Sequence, residues 1–195
     1  RMVETALREA GIVECALSAG EELLRKHVFT LSDFVLTQAC RDPHGFLQQL
    51  ADGSLSRSLT VTEIHDLLQE QLLSCSSEDQ LQGILRRFRN QQQLRIIWRD
   101  LTRQVELSET TRDLSALADA CIGQAYEWLY EQHCQQFGTP TGRHSGQPQQ
   151  LVVLAMGKLG AGELNLSSDV DLIFTYPEAG ETTGAKRSLD NQEFF

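Results

Sequence analysis

The glycine-rich stretch over residues 157–176, GKLGAGELNLSSDVDLIFTY, constrains the fold more than any other part of the chain. It follows an apolar run, LVVLAM at residues 151–156, which is rich in β-branched residues and has the length of a buried strand. After the glycines, Asp169-Val170-Asp171 leads into a second apolar run at residues 172–174. The pattern predicts two strands joined by a glycine-rich turn, with two carboxylates where the second strand begins.

The two carboxylates predict a metal site. Side chains alternate along a strand, so Asp169 and Asp171 are expected on one side, and Val170 and Leu172 on the other. Two neighbouring carboxylates repel each other and are costly to remove from water. A divalent cation between them relieves both problems, and hard oxygen ligands suit Mg²⁺ or Mn²⁺. Asp169 and Asp171 are therefore the predicted metal ligands and catalytic residues.

The spacing of the glycines excludes two kinds of phosphate-binding loop. A P-loop needs Gly-Lys followed by Ser or Thr, but here Leu159 follows Gly157-Lys158. The dinucleotide fingerprint needs G-x-G-x-x-G, and the glycines here stand at 157, 160 and 162. A third pattern, that of nucleotidyltransferases, has an apolar strand, a glycine followed by a small residue, and then Asp-x-Asp entering a strand. The chain fits it, with Lys158 at the position usually taken by Gly or Ser.

The chemistry of nucleotidyl transfer accounts for these residue types. The reaction is an in-line displacement at phosphorus, and paired metal ions stabilise the attacking and leaving oxygens. Gly157 allows backbone amides to approach phosphate, and Ser168 offers a further hydrogen bond. Lys158 supplies a mobile positive charge. Gly157, Lys158 and Ser168 are the predicted nucleotide- and phosphate-binding residues.

The rest of the chain predicts an α+β protein in which a helical domain over residues 1–138 precedes the strands. Apolar residues recur there at helical spacing. Three capping boxes are predicted to begin helices, at Thr60 with Glu63, Ser77 with Gln80, and Thr110 with Asp113. Residues 139–150, with their prolines and glycines, predict a linker or exposed loop. Residues 151–195 are interpreted as the first part of a nucleotidyltransferase domain, whose last residues, 189–195, predict the start of a helix.

Six arginines concentrate positive charge in the helical part: Arg86, Arg87, Arg89, Arg95, Arg99 and Arg103. We favour a solvated face with local ion pairs, for example around Asp100. The alternative is a surface that receives phosphate or an acidic partner.

The composition limits which partners and which cellular compartment are expected for the protein. A formal net charge of −10 argues against non-specific nucleic-acid binding, which needs a basic surface. No apolar run approaches the ~20 residues of a membrane span. The five cysteines are scattered, which predicts reduced, mostly buried thiols in a cytoplasmic protein.

Several segments together resemble the glutamine synthetase adenylyltransferase family, bifunctional bacterial enzymes of the DNA polymerase β-type nucleotidyltransferase superfamily. The likeness lies in MGKLG at 156–160, GELN at 162–165 and SSDVDLIF at 167–174. Two more segments, LRRFR at 85–89 through RIIWRDL at 95–101, and LDNQEFF at 189–195, resemble the N-terminal, adenylyl-removing half of that family. Lys158 is the residue expected in this family.

The resemblance implies a polymerase β-like mixed-sheet domain and a phosphorolytic activity. Inorganic phosphate would attack the adenylylated tyrosine of glutamine synthetase, releasing ADP and free tyrosine. A separate C-terminal half would adenylylate the enzyme with ATP. The PII regulatory protein and glutamine would set the balance between the two.

The superfamily also needs a third carboxylate on a later strand, which is expected beyond residue 195. The 195-residue chain alone is therefore expected to be inactive. Two other functions stay open at this point. One is another nucleotidyltransferase, such as a uridylyltransferase acting on PII. The other is a non-catalytic module that docks a partner through its helices and arginines.

Overall fold

The computed structural model describes Thr5 and residues 19–195, and its first part consists of six helices. These are α1 (Ala19–Leu31), α2 (Asp33–Arg41), α3 (Pro43–Ala51), α4 (Val61–Leu72), α5 (Glu78–Leu101) and α6 (Leu107–Phe137), with a 3₁₀ turn at Ser54–Ser56. The helical prediction is confirmed from residue 19 to residue 137. For residues 1–18, apart from Thr5, it falls outside the described part of the chain.

Strands follow α6 and form two small antiparallel pairs. The elements are β1 (Thr139–Gly142), β2 (Val152–Ala155), α7 (Gly157–Gly160), β3 (Leu172–Thr175), β4 (Gly180–Thr183) and α8 (Asn191–Phe194). β1 pairs with β4, and β2 pairs with β3. The α+β class is confirmed, as is the helix start near the end of the chain, where the Asp190 carboxylate accepts a hydrogen bond from the Gln192 amide at 2.8 Å.

The loop predicted over residues 139–150 was wrong at its beginning, because β1 lies there. Thr139 of β1 pairs with Thr183 of β4, and Pro140 with Thr182. Proline and glycine are poor strand formers, so the local sequence indicates a turn. Pro140 is tolerated because its backbone faces away from β4, toward the side where its carbonyl accepts from the Gln149 amide at 2.8 Å, so no hydrogen bond to β4 needs its missing N–H.

The main hydrophobic core belongs to α4, α5 and α6, and it also receives side chains from the glycine-rich stretch. Phe88 of α5 and Leu68 of α4 are fully buried in it. Leu159 and Leu164 enter the same core, with exposures of only 4% and 7%. A second core joins α1, α2 and α3 to the end of α5 around Phe29, Phe46 and Trp98. The glycine-rich stretch is thus packed onto the helices.

The strands β2 and β3 are less covered than the buried strand that the sequence predicts. Ala155 and Leu172 pack against the helical core. On the other side of the hairpin, Val152, Leu154 and Ile173 are 43%, 47% and 48% exposed. One face of this two-stranded sheet therefore lies open within the described chain.

Two of the three predicted helix caps are found. Thr60 and Glu63 form a complete capping box, in which each side chain binds the other residue's backbone N–H. Ser77 caps α5 by accepting from the Gln80 amide at 3.3 Å, but the Gln80 side chain accepts from the Ser76 amide instead of completing the box. Both helices start where the sequence predicts.

The third capping box, at Thr110 and Asp113, was wrong. α6 begins earlier, at Leu107, and Thr110 and Asp113 are both buried inside it, with exposures of 4% and 2%. Thr110 donates to the Asp100 carboxylate, and Asp113 binds arginines on α5. The spacing of a capping box is reproduced here by two residues that face a neighbouring helix.

Within the described residues, none of the helices is both long and apolar enough to cross a membrane. Cys40, Cys75, Cys121 and Cys134 are free thiols, as predicted, but all four are half-buried rather than buried. Cys15 lies outside the described residues.

Candidate active site

The β2–β3 hairpin brings the glycine-rich turn beside the two carboxylates. Ala155 is paired with Leu172, and the Met156 amide donates to the Asp171 carbonyl at 2.9 Å, one step beyond the strands. The chain enters the turn at Gly157, directly after this contact. Antiparallel pairing therefore places residues more than ten positions apart in sequence at one edge of the hairpin.

Glycine is required at two places in the turn for different reasons. Gly157 has φ +56°, in the left-handed region that side chains other than glycine rarely adopt, although a Cβ there would meet no atom within 4 Å. Gly160 has an ordinary backbone, but a Cβ on it would lie 2.4 Å from the Ala155 carbonyl oxygen. Both glycines hold the turn close to the end of β2. Lys158, between them, is exposed.

Asp169 and Asp171 are exposed and precede β3 instead of lying within it. Among the described residues, neither carboxylate accepts a hydrogen bond or forms an ion pair, while Val170 and Leu172 line a cavity against the helices. This agrees with the predicted alternation of side chains. The two carboxylates are thus free to bind a ligand from solvent.

The hydroxyl of Ser168 is used by the loop itself. It donates to the Asn165 amide oxygen at 2.6 Å, and the Ser167 amide donates to the same oxygen at 3.1 Å. Ser168 also lines the cavity on the helical side of the hairpin. The backbone contact between Met156 and Asp171 brings Gly157 to the edge of the hairpin where Asp171 lies, with Asp169 two residues before it, whereas Ser168 lines the cavity on the helical side. Asn165, which organises the turn before the carboxylates, was not predicted as a site residue.

Sequence reasoning also missed the residue that fastens this loop to the helices. The buried Ser115 of α6 donates through its hydroxyl to the Thr111 carbonyl at 2.8 Å and accepts from the Leu164 amide at 3.1 Å. A serine in a helix interior commonly bonds the preceding turn, so the sequence contains no signal for the second contact. Ser115 therefore fixes one point of the loop that carries Asp169.

Two tyrosines of α6 position the start of β2. The Tyr126 hydroxyl accepts from the Leu151 amide at 2.8 Å, and the Tyr130 hydroxyl donates to the Gln149 carbonyl at 2.9 Å. Burial raises the pKa of Tyr130 to about 12, with the nearby Cys134 thiol adding to the shift. Burial also raises the pKa of Tyr126, so both hydroxyls stay neutral at physiological pH. The two tyrosines thus hold the strand on the helix that also binds Leu164.

Comparison with known proteins identifies the family. The model of the glutamate-ammonia ligase adenylyltransferase family matches residues 22–195, which include the whole candidate site. The chain belongs to this family.

Relatives with curated names agree with the match. The chain is similar to the bifunctional glutamine synthetase adenylyltransferase/adenylyl-removing enzyme of Pseudomonas syringae pv. tomato, with 63% identity over 168 residues. Its identity to the enzymes of the same name from Pseudomonas aeruginosa and Pseudomonas putida is 62% over 170 residues and 58% over 189 residues. These alignments cover 86–95% of this chain. The chain spans 17–19% of the length of these relatives.

The carboxylates of Asp169 and Asp171 suit a hard divalent cation, but they are only two ligands. Asp169 and Asp171 are two unpaired, accessible carboxylates close together in the chain, and oxygen ligands of this kind suit Mg²⁺. Among the described residues, no group of three or more His, Cys, Asp or Glu side chains could hold a metal ion. The two aspartates are thus a partial ligand set.

The arginine cluster differs from the favoured interpretation of a solvated face. Arg86, Arg87, Arg89 and Arg103 are exposed, but Arg95 and Arg99 are buried, with exposures of 4% and 5%. These two bind Asp113 of α6, not Asp100, at 3.2 and 3.4 Å. Burial lowers the pKa of Arg95, and the Asp113 charge opposes that shift. Arg95 and Arg99 therefore fasten α5 to α6.

Proposed function

We propose that this chain is part of the adenylyl-removing half of a glutamine synthetase adenylyltransferase, and that Asp169 and Asp171 serve its reaction. The proposal is supported by one observation above all. Asp169 and Asp171 are exposed and unpaired within the described chain, and they directly precede β3, where the Asp171 backbone contacts Met156 at the entrance to the glycine turn. Both lie inside the family match over residues 22–195.

The proposed reaction is a phosphorolysis. An oxygen of inorganic phosphate attacks the adenylyl phosphorus on a tyrosine of glutamine synthetase, and the bond from that phosphorus to the tyrosine oxygen breaks. The products are ADP and the free tyrosine, whose oxygen takes up a proton. When bound, Mg²⁺ would neutralise charge on the phosphate oxygens and orient them for in-line attack.

Each residue of the chain has a defined part in this proposal. Asp169 and Asp171 would hold Mg²⁺, or Mn²⁺ in its place, by their carboxylate oxygens. Gly157, with its positive φ and no side chain, would leave the backbone of the turn open to a phosphate group. Lys158, exposed next to it, would add a mobile positive charge. Ser168 would have to exchange its bond to Asn165 for a bond to phosphate.

The proposed setting is the regulation of glutamine synthetase in the bacterial cytoplasm. A second half of the complete protein would adenylylate the same tyrosine with ATP. The PII protein and glutamine would then decide which of the two reactions prevails.

The direction of the reaction is tested with the complete protein, adenylylated glutamine synthetase, inorganic phosphate and Mg²⁺, without ATP. We expect ADP to form in step with the loss of AMP from glutamine synthetase. A matched pair of variants locates the reaction. Asp171→Asn should stop ADP release, and Asp66→Asn, which alters an exposed aspartate of α4, should leave it unchanged. Phosphate-dependent ADP release that survives in Asp171→Asn would show that a different site carries the reaction.

A further inference from the structure

A cavity of about 520 Å³ lies between α5, α6 and the loop that precedes β3. Its helical wall is apolar and includes Leu117, Cys121 and Ile122, and its loop wall includes Leu164 and Val170. The volume is within the usual range for small-molecule sites, as is the combination of apolar walls with a few polar groups.

Three side chains with unused hydrogen-bond donors meet at this cavity. Arg89 of α5 donates to the neighbouring Asn90 side chain and contacts no carboxylate in the described part of the chain. The Gln93 amide makes no hydrogen bond with any described residue. Asn165 uses its amide oxygen for Ser167 and Ser168, while its NH₂ group donates to none of the described residues. Together they offer N–H groups from both walls.

The cavity is lined by a positive charge, that of Arg89, whereas the chain as a whole is negative. No Asp or Glu lines it, although the chain has 27 acidic residues and a net charge of −10. The field of Arg89 also reaches the apolar wall. Burial raises the pKa of Cys121 to about 11, and the Arg89 charge acts against that rise. An anion is therefore favoured over a cation or a neutral solute.

The cavity adjoins the proposed reaction site but does not include its two carboxylates. Ser168, Val170 and Leu172 line it, whereas Asp169 and Asp171, which alternate with them, do not. A ligand bound here would lie on the helical side of the hairpin, next to Ser168.

We propose that this cavity binds a small organic anion with an apolar body. The apolar body would pack against Leu117, Cys121 and Ile122. Its carboxylate or phosphate would accept hydrogen bonds from Arg89, Gln93 and Asn165, since charged acceptors bind such donors most strongly. The inference does not rest on the proposed reaction, because its hydrogen bonds come from Arg89, Gln93 and Asn165 and its test does not involve glutamine synthetase.

The thiol of Cys121 provides the measurement. In the complete protein, alkylation of each cysteine by iodoacetamide is followed by mass spectrometry at pH 9, where part of a thiol population is thiolate. The probes are 3-phenylpropionate, phenyl phosphate and the neutral 3-phenyl-1-propanol. We expect both anions to slow alkylation of Cys121 and to leave Cys75, which does not line the cavity, unaffected. The more effective anion distinguishes carboxylate from phosphate recognition, and the alcohol should protect least.

Three variants test the contacts. Arg89→Gln should weaken protection by the anions about tenfold or more, because it removes a charged hydrogen-bond donor. Arg86→Gln, an exposed arginine of the same helix outside the cavity lining, should change nothing. Ala118→Leu, which adds volume to the half-buried wall, should abolish protection by all probes.

The inference fails if saturating anions do not change the rate at Cys121, or if Arg89→Gln binds them as tightly as the unaltered protein. It also fails if Cys121 in the folded complete protein stays unreactive when the pH is raised toward its pKa of about 11, since the cavity would then be filled by another part of the polypeptide. Arg89 is a surface residue, so its variant should fold even if Ala118→Leu does not.

Discussion

Asp113 and the pair formed by Asp169 and Asp171 show two opposite environments for the same side chain. Asp113 is 2% exposed and accepts hydrogen bonds from Arg95, Arg99 and Arg112. Asp169 and Asp171 are exposed and have no partner among the described residues.

The difference separates a structural carboxylate from a candidate functional one. A buried charge must be compensated by partners within the protein, and Asp113 is compensated by arginines that join α5 to α6. Two neighbouring carboxylates left without cations gain nothing from one another, and their repulsion is relieved only by something that binds from solvent. Folding therefore explains the position of Asp113 and does not explain that of Asp169.

The largest expected effect is on activity. Asp169→Asn in the complete protein should lower phosphate-dependent ADP release by about a thousandfold, the order of magnitude lost with a principal electrostatic group. Its unfolding midpoint in urea should stay the same or rise, because the substitution removes like-charge repulsion. Unimpaired ADP release would remove Asp169 from the site, and a large loss of stability would place it in the same class as Asp113.

Asp113→Asn should instead lower the stability of the protein. Arg95 and Arg99 would remain buried without their counter-charge, which costs about 3–5 kcal/mol in comparable cases. The free energy of unfolding from urea denaturation is the measurement. A loss below about 1 kcal/mol would mean that the arginines find other partners and that the comparison overstates the role of Asp113.

Ser115 joins helix α6 to the loop that carries Asp169, and Ser115→Ala should have an intermediate effect on stability. The Leu164 amide would lose its buried acceptor, at a cost of about 1–3 kcal/mol in unfolding free energy. Ser108→Ala, in the first turn of the same helix, is the exposed control. If the two variants were equally stable, the hydrogen bond to the loop would contribute nothing measurable.

The smallest expected effect concerns Glu109 of α6, which forms ion pairs with Arg99 at 2.8 Å and with Arg112 at 3.5 Å. The hydrogen bond from Arg99 holds the pKa of Glu109 below its usual 4.5. A lowered folded-state pKa stabilises the protein at pH values above 4.5, and this contribution disappears as the pH falls through the folded-state pKa. Glu109→Gln should therefore be less stable by about 1 kcal/mol or less at pH 7. Thermal melts at neutral pH and near pH 3 should show that difference shrinking on acidification.

The sequence predicts features that depend on neighbouring residues. Thr60 with Glu63 is a complete capping box because every atom involved lies within one helical turn. Asp169 and Asp171 are recognisable for the same reason, since an acidic pair is unusual where an apolar strand begins. The α+β class follows from the change in apolar spacing near residue 138.

Features that depend on distant partners were missed. Asp113 has a capping-box spacing with Thr110, and only the fold shows that its partners are arginines on another helix. β1 has the composition of a turn and becomes a strand because β4 pairs with it. The contact of Ser115 with Leu164 likewise requires the loop to return to α6, which no local pattern indicates.

The bond between Ser115 and Leu164 has a consequence for how the loop moves. Leu164 is anchored in the helical core, and Leu172 is held by its pairing with Ala155. Residues 165–171 are thus a short span fixed at both ends, so the carboxylates can shift toward a substrate only as far as this span bends. In an amide hydrogen-exchange experiment, Leu164 would exchange slowly and Ser167 rapidly, because the Ser167 amide bonds to an exposed side chain. Movement of the two carboxylates toward a substrate would then involve residues 165–171 and not the helices.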